Sequence, residues 1–177
     1  MKNQLINFLT RCRLSWLNSQ APTALVQAEL SAGEVKDNLE YIEPYGFTSA
    51  PLSGAKGLAL FLGGDRSHGV IINLSDQRYR PQDAKPGEVI IYTHEGASIH
   101  LKAGRVIEFD CDVLKINTKH YEVNADEINL DANKINIDAP EVMMSGTVNA
   151  PEVKIGSQTL SNHRHREHDG ELTSEPL

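Results

Sequence analysis

From residue 107 onward the chain repeats one pattern of apolar and polar positions: VIEFDCD, VLKINTK, HYEVNAD, EINLDAN, KINIDAP, EVMMSGT. Ile107, Leu114, Tyr121, Ile128, Ile135 and Val142 stand seven residues apart, and Phe109, Ile116, Val123, Leu130, Ile137 and Met144 follow two residues behind them. Directly after the second series come Asp110, Asn117, Asn124, Asp131, Asp138 and Ser145. A period of seven suggests a coiled coil, but coiled coils space their apolar positions three and four apart. Here the spacing is two and five. Residues two apart share a face in a strand and lie on nearly opposite sides of a helix. The β-branched residues and the Asn/Asp corners also favour strands and turns over helix. The pattern predicts a β-repeat.

The length of the repeat carries an expectation about assembly. At ~3.3 Å per residue, seven residues span roughly 23 Å when extended. That suffices for one side of a β-prism, whereas a single-chain β-solenoid needs about 20 or more residues per coil. Three chains, each supplying one side, close a layer. An intertwined homotrimer is therefore expected, its paired apolar positions directed at a common axis. The repeat slips after Met144: APEV of residues 139–142 returns at 150–153, eleven residues on, with Val153 and Ile155 restoring the pair. Gly146 would allow the bend.

Upstream the pattern changes to short strands punctuated by turn chemistry. TALVQAEL, LEYIEPYGF, GLALFLGG, GVIINLS and GEVIIYTHEG are strand candidates, separated by PLSGAKG, GGDRSHG and RPQDAKPG. Five strands without an intervening helix predict a small closed barrel of OB or SH3-like type, with a small sandwich as the alternative. At the start of the chain Leu5, Ile6, Leu9, Cys12 and Trp16 fall at helical spacing and predict a short amphipathic helix, packed on its own domain or docked on a neighbour. The expected organisation is a helical segment over 1–21, a barrel over 22–96, a β-helix needle over 97–160, and a metal-binding tip and tail over 161–177.

Composition narrows the function. The 177-residue chain carries a net charge of −7, which argues against a nucleic-acid binder. Aromatic residues make up 6% and Trp16 is the single tryptophan, so base-stacking platforms are not expected. Cys12 and Cys111 belong to no CxxC pair and read as reduced thiols. No run approaches ~18 consecutive apolar residues, and Arg11 and Arg13 interrupt the first apolar stretch before it reaches signal-peptide length. The recurring acidic corners, Asp126, Glu127, Asp131 and Asp138 among them, read as a solvated face and not as glycosidase carboxylates. Between 107 and 157 ten acidic and four basic residues leave a net −6, a surface that stays soluble and avoids anionic membranes.

The candidate chemistry lies in SNHRHREHDG, residues 161–170. In an extended segment His163 and His165 point to the same side. Three copies of that pair near a threefold axis bring together six imidazoles, an octahedral set for a first-row transition metal such as Fe(II), and Ni(II), Co(II) or Zn(II) would also be accepted. The alternative is a His-rich polar tail. His168 is read as outer-shell or solvent-facing, and Arg164 and Arg166, which alternate with the pair, should face outward. The string also matches HxHx[DE]H of metallo-β-lactamase-type hydrolases. That reading needs further ligands downstream, and only Asp169–Leu177 follow. His68, His94, His100 and His120 are scattered, and no G-x-S-x-G motif, P-loop or dinucleotide fingerprint occurs.

Three stretches, YGFTSAPLSGAKG (45–57), FLGGDRSHGVIINLSDQRYRP (61–81) and GEVIIYTHEG (87–96), resemble the barrel of Mu-type phage baseplate spike proteins, a family represented also by the P2-type spikes called baseplate assembly protein V. The β-prism repeat and the His-x-His are the family's other marks, and the resemblance covers about 22–170. It implies an all-β trimeric central spike at the tip of a contractile tail: an OB-fold collar attached to the baseplate hub, an intertwined β-helix needle, and an iron ion held at the apex by His163 and His165 of three chains. It also implies possible calcium and chloride ions on the needle, without assignable ligands. The implied action is mechanical piercing of a Gram-negative outer membrane, with no bond made or broken and no small-molecule substrate, and the implied location is the virion's tail baseplate. Competing expectations are a polysaccharide-degrading tailspike enzyme, which needs larger coils and a carbohydrate groove, and an OB-fold binding module.

Overall fold

Alternation of inward and outward residues builds the first five strands. The computed structural model describes residues 8–156, 158–166, 168 and 170–173, and divides into two units, Met1–Lys119 and His120–Leu177. In the first unit β1 (Leu9–Asn18) pairs antiparallel with β2 (Ala24–Glu29) and with β4 (Lys56–Phe61). β2 pairs with β3 (Val35–Tyr41), and β3 runs parallel to β5 (Gly69–Ser75) through Glu40↔Val70 and Tyr41↔Ile71. β5 then pairs antiparallel with β4. The ring closes in the order β1-β2-β3-β5-β4.

The barrel interior is built from Cys12, Leu14, Val26, Ala28, Leu30, Leu39, Tyr41, Ala55, Ala59, Phe61 and Ile71. Phe61 and Ile71 are 0% exposed. Burial of each large side chain favours folding by about 1.5–3 kcal/mol. Gly69 is required by this packing, because a Cβ there would lie 2.5 Å from a ring carbon of Phe61 and 2.8 Å from a Leu39 methyl. Burial also pushes the Cys12 thiol upward in pKa, against a hydrogen bond from the Gly57 backbone, and both cysteines are free thiols.

The expected N-terminal helix is corrected over its described part. Leu9–Asn18 is a strand, and residues 1–7, with Leu5 and Ile6, lie outside the described residues. Cys12 and Leu14, two apart, both enter the core, while Leu9, Arg11, Arg13 and Trp16 face out. A bulge between Leu14 and Trp16 then shifts the phase, so that Leu17 packs on the core. The helical spacing of Leu9, Cys12 and Trp16 therefore joins residues from both faces of a strand.

GEVIIYTHEG, expected in the barrel, contributes β6 (Val89–Tyr92) to a separate antiparallel sheet with β7 (Ser98–Lys102) and β8 (Val106–Asp110). Beyond Asp110 the described residues form no strand until β9 (Lys154–Ile155), which pairs with β10 (Gln158–Thr159). Apart from Phe8, which is helical, the regular elements among the described residues are thus strands or three-residue 3₁₀ turns. The chain is all-β, with a closed five-stranded barrel.

Candidate functional site: an apolar stripe and a histidine pair

The repeat keeps its alternation in the single chain. Asn124 donates to the Glu122 carboxylate (2.9 Å) and Asn129 to Glu127 (3.1 Å), contacts between side chains two apart that only an extended backbone places on one side. His120 Nε2 lies 3.4 Å from Glu122 on that same face. Tyr121 and Val123 alternate with this polar row. All twelve members of the two apolar series are 50–70% exposed. Exposed apolar patches are, as a rule, where soluble proteins meet partners.

The histidine segment is locally organised. β9 and β10 form a hairpin, and a 3₁₀ turn, Leu160–Asn162, follows it. The Leu160 N–H donates to the Val153 carbonyl at 2.8 Å. The Glu152 carboxylate clamps this turn, accepting from the Val153 N–H (3.0 Å), the Ser161 N–H (3.4 Å) and the Ser161 hydroxyl. These donors, the hydroxyl foremost, hold the Glu152 carboxyl below its ordinary range. His163 Nδ1 lies 2.7 Å from the Leu160 carbonyl oxygen. A carbonyl only accepts, so Nδ1 carries a proton, and in the neutral ring this leaves Nε2 with its lone pair.

His165 is held through its backbone. Its N–H donates to Thr173 Oγ1 (2.9 Å) and its carbonyl accepts from the Thr173 N–H (2.9 Å), beside an antiparallel bridge between Arg166 and Leu172. The fold brings the two expected ligands together: their ring centroids lie 5.1 Å apart at an interplanar angle of 84°. Arg164, Arg166 and His168 are exposed, and Glu167 of the HxHx[DE]H string, like Asp169 after it, lies outside the described residues. Among the described residues no group of three or more His, Cys, Asp or Glu converges within one chain. One chain offers a metal the histidine pair.

Sequence reasoning passed over Glu88, Glu152 and Thr173. Glu88 is 6% exposed at its side chain and accepts from the Lys85 N–H (2.9 Å) and the Ala103 N–H (3.1 Å), beside His100 Nε2 at 3.1 Å. Those bonds, the Lys85 amide first, lower its carboxyl from 4.5 to about 2. The other scattered histidines have local partners: His68 meets the Ser67 hydroxyl at 2.8 Å, and His94 stands edge-on to Tyr79.

Comparison with known proteins agrees with this architecture. A family model described as "Bacteriophage Mu Gp45, N-terminal" matches residues 11–78, nearly the span of the barrel. The chain is 30% identical over 171 residues to the "Baseplate puncturing device gp45" of Escherichia phage Mu, covering 93% of this chain and 86% of that protein. It is 25% identical over 176 residues to "Mu-like prophage FluMu protein gp45" of Haemophilus influenzae, covering 96% of this chain and 92% of that protein. With this similarity over most of its length, the chain belongs to the bacteriophage Mu gp45 family.

Proposed function

We propose that this protein is the central spike of a contractile phage tail baseplate, a homotrimer that pierces the host outer membrane mechanically when the sheath contracts. The observation that carries the reading is the exposure of all twelve apolar side chains that recur at two-and-five spacing. One chain cannot cover it, and three extended chains turning their paired apolar positions to one axis can. The phage Mu relative, a baseplate puncturing device, supports the same role and a location in the virion's tail baseplate. The barrel, with its single parallel pairing between β3 and β5, is then an OB-type collar for the baseplate hub. The work is mechanical, and no reaction is assigned to the chain.

At the tip of such a needle three chains meet around one axis, where a shared ion could join them. His163 and His165 of each chain would hold an iron ion there. Their fit rests on the donor set: His163 spends its Nδ1–H on a backbone carbonyl, the usual arrangement of a metal-ligating histidine, whose other nitrogen is the ligand. Six imidazole nitrogens from three chains suit an octahedral first-row metal. When bound, the ion would staple three chains, and structural metal sites contribute on the order of 10 kcal/mol.

Light scattering on a size-exclusion peak, followed by elemental analysis of that peak, tests both statements. A mass of three chains with one metal per three chains is expected. A folded monomer, or one metal per chain, overturns the threefold reading.

A further inference from the structure

Histidine pairs bind metal well only when their tautomers and rotamers are set in advance, and here the setting comes from residues outside the pair. The Leu160 carbonyl that receives His163 Nδ1–H belongs to the 3₁₀ turn Leu160–Asn162. That turn has two anchors. One is the backbone bond from Leu160 N–H to the Val153 carbonyl, and the other is Glu152, which grips Ser161 through both its amide and its hydroxyl. Glu152 also accepts from the Val153 N–H, so one carboxylate ties the start of the hairpin to the turn nine residues later.

We propose that Glu152 is a positioning residue for His163: by clamping Ser161 it holds the Leu160 carbonyl where it selects the Nδ1–H tautomer and leaves Nε2 as the ligand nitrogen. The metal half of this statement rests on the proposed histidine site, and the tautomer half stands without it. Imidazole in water favours the opposite tautomer, with the proton on Nε2, which cannot ligate through that nitrogen. Without the clamp the ring reverts toward that form, and every metal-binding event must first move the proton. In a trimer the cost falls on three rings at once.

The test uses the full chain with nitrogen-15 in its histidines, above the pH range of imidazolium. Long-range proton–nitrogen correlation reads the His163 tautomer in metal-free protein, and chelator competition reads Fe(II) affinity under anaerobic conditions. In Glu152→Ala the Nε2–H form of His163 should rise and Fe(II) affinity should fall ten- to a hundredfold, the range for losing outer partners of a ligand histidine. Glu152→Gln should stay near the parent in both readings. Its Oε1 can accept the two amides, and its NH₂ can donate to the Ser161 hydroxyl, whose proton then turns to Thr159 Oγ1, 3.5 Å away. An unchanged tautomer in Glu152→Ala overturns the proposal, since the hairpin alone would then hold the turn. A changed tautomer with unchanged Fe(II) affinity overturns its link to the metal. Absence of Fe(II) binding in the parent, or binding that survives His163→Ala with His165→Ala, overturns the histidine site itself, while the tautomer ratio still decides the role of Glu152.

Discussion

The barrel and the repeat use similar apolar residues to opposite ends. In the barrel, Leu14, Val26, Leu39, Phe61 and Ile71 are almost wholly buried by strands of the same chain. In the repeat, Ile107 to Met144 leave half or more of every apolar side chain in water. Composition does not separate the two regions; return of the chain does. Five barrel strands come back on one another until β1 meets β4 and the edges vanish. The repeat forms no strand pairing of its own between Asp110 and Lys154 among the described residues, so in the proposed trimer its hydrophobic energy would be released between chains. The barrel closes within one chain, and on the proposed reading the repeat supplies one third of a closed layer.

The largest effect should come from breaking the repeat. Ile128→Asp with Leu130→Asp puts two carboxylates per chain into the proposed interior, six in a trimer, where unpaired charges are strongly disfavoured. The expected outcome is loss of the trimer by light scattering, with the β-rich circular dichroism of the barrel retained. A trimer of unchanged mass would show that the stripe is not the interface.

Phe61→Ala sharpens the comparison from the other side. It empties the barrel core and should cost about 3–5 kcal/mol. The loss should fall on the barrel's denaturation midpoint, while the repeat keeps the chains associated. Failure of both together, at one midpoint, would mean that the two regions fold as a single cooperative unit.

How legible each region was follows from the range of its interactions. The repeat could be read because its signal is local: two-and-five spacing with Asp or Asn at each corner excludes a helix without knowledge of any partner. The strands of the barrel were marked by Gly and Pro punctuation, but its closure was not, since Leu9 pairs with Leu60 across some fifty residues. β1 was misread because Leu9, Cys12 and Trp16 satisfy a helical period by coincidence, and the bulge after Leu14 breaks the alternation that would have shown a strand. His163 and His165 were visible as a pair, yet their support was not. Nothing in APEVK or LTSEP marks Glu152 or Thr173 as a partner of a residue eight or nine positions away. Glu88 was equally silent, because it meets His100 and the Ala103 amide only when the hairpin folds back.

The smallest expected effect concerns that Glu88 cluster, which belongs to neither the barrel core nor the stripe. Its folded carboxyl lies near 2, below the ordinary 4.5. A depressed carboxyl contributes stability above its unfolded pKa, and the contribution disappears as pH falls from about 4.5 toward 2. The β6–β8 sheet should therefore weaken in that window. Other depressed carboxyls, Asp65 and Asp76 among them, titrate nearby, so the decisive quantity is a difference. Glu88→Gln keeps one acceptor but carries no charge to lose. It should be less stable than the parent at pH 7, and denaturant midpoints of the two should converge as pH approaches 2. Parallel curves across the window would mean that the sheet does not depend on the Glu88 charge, and that its amide and imidazole contacts act only as neutral hydrogen bonds.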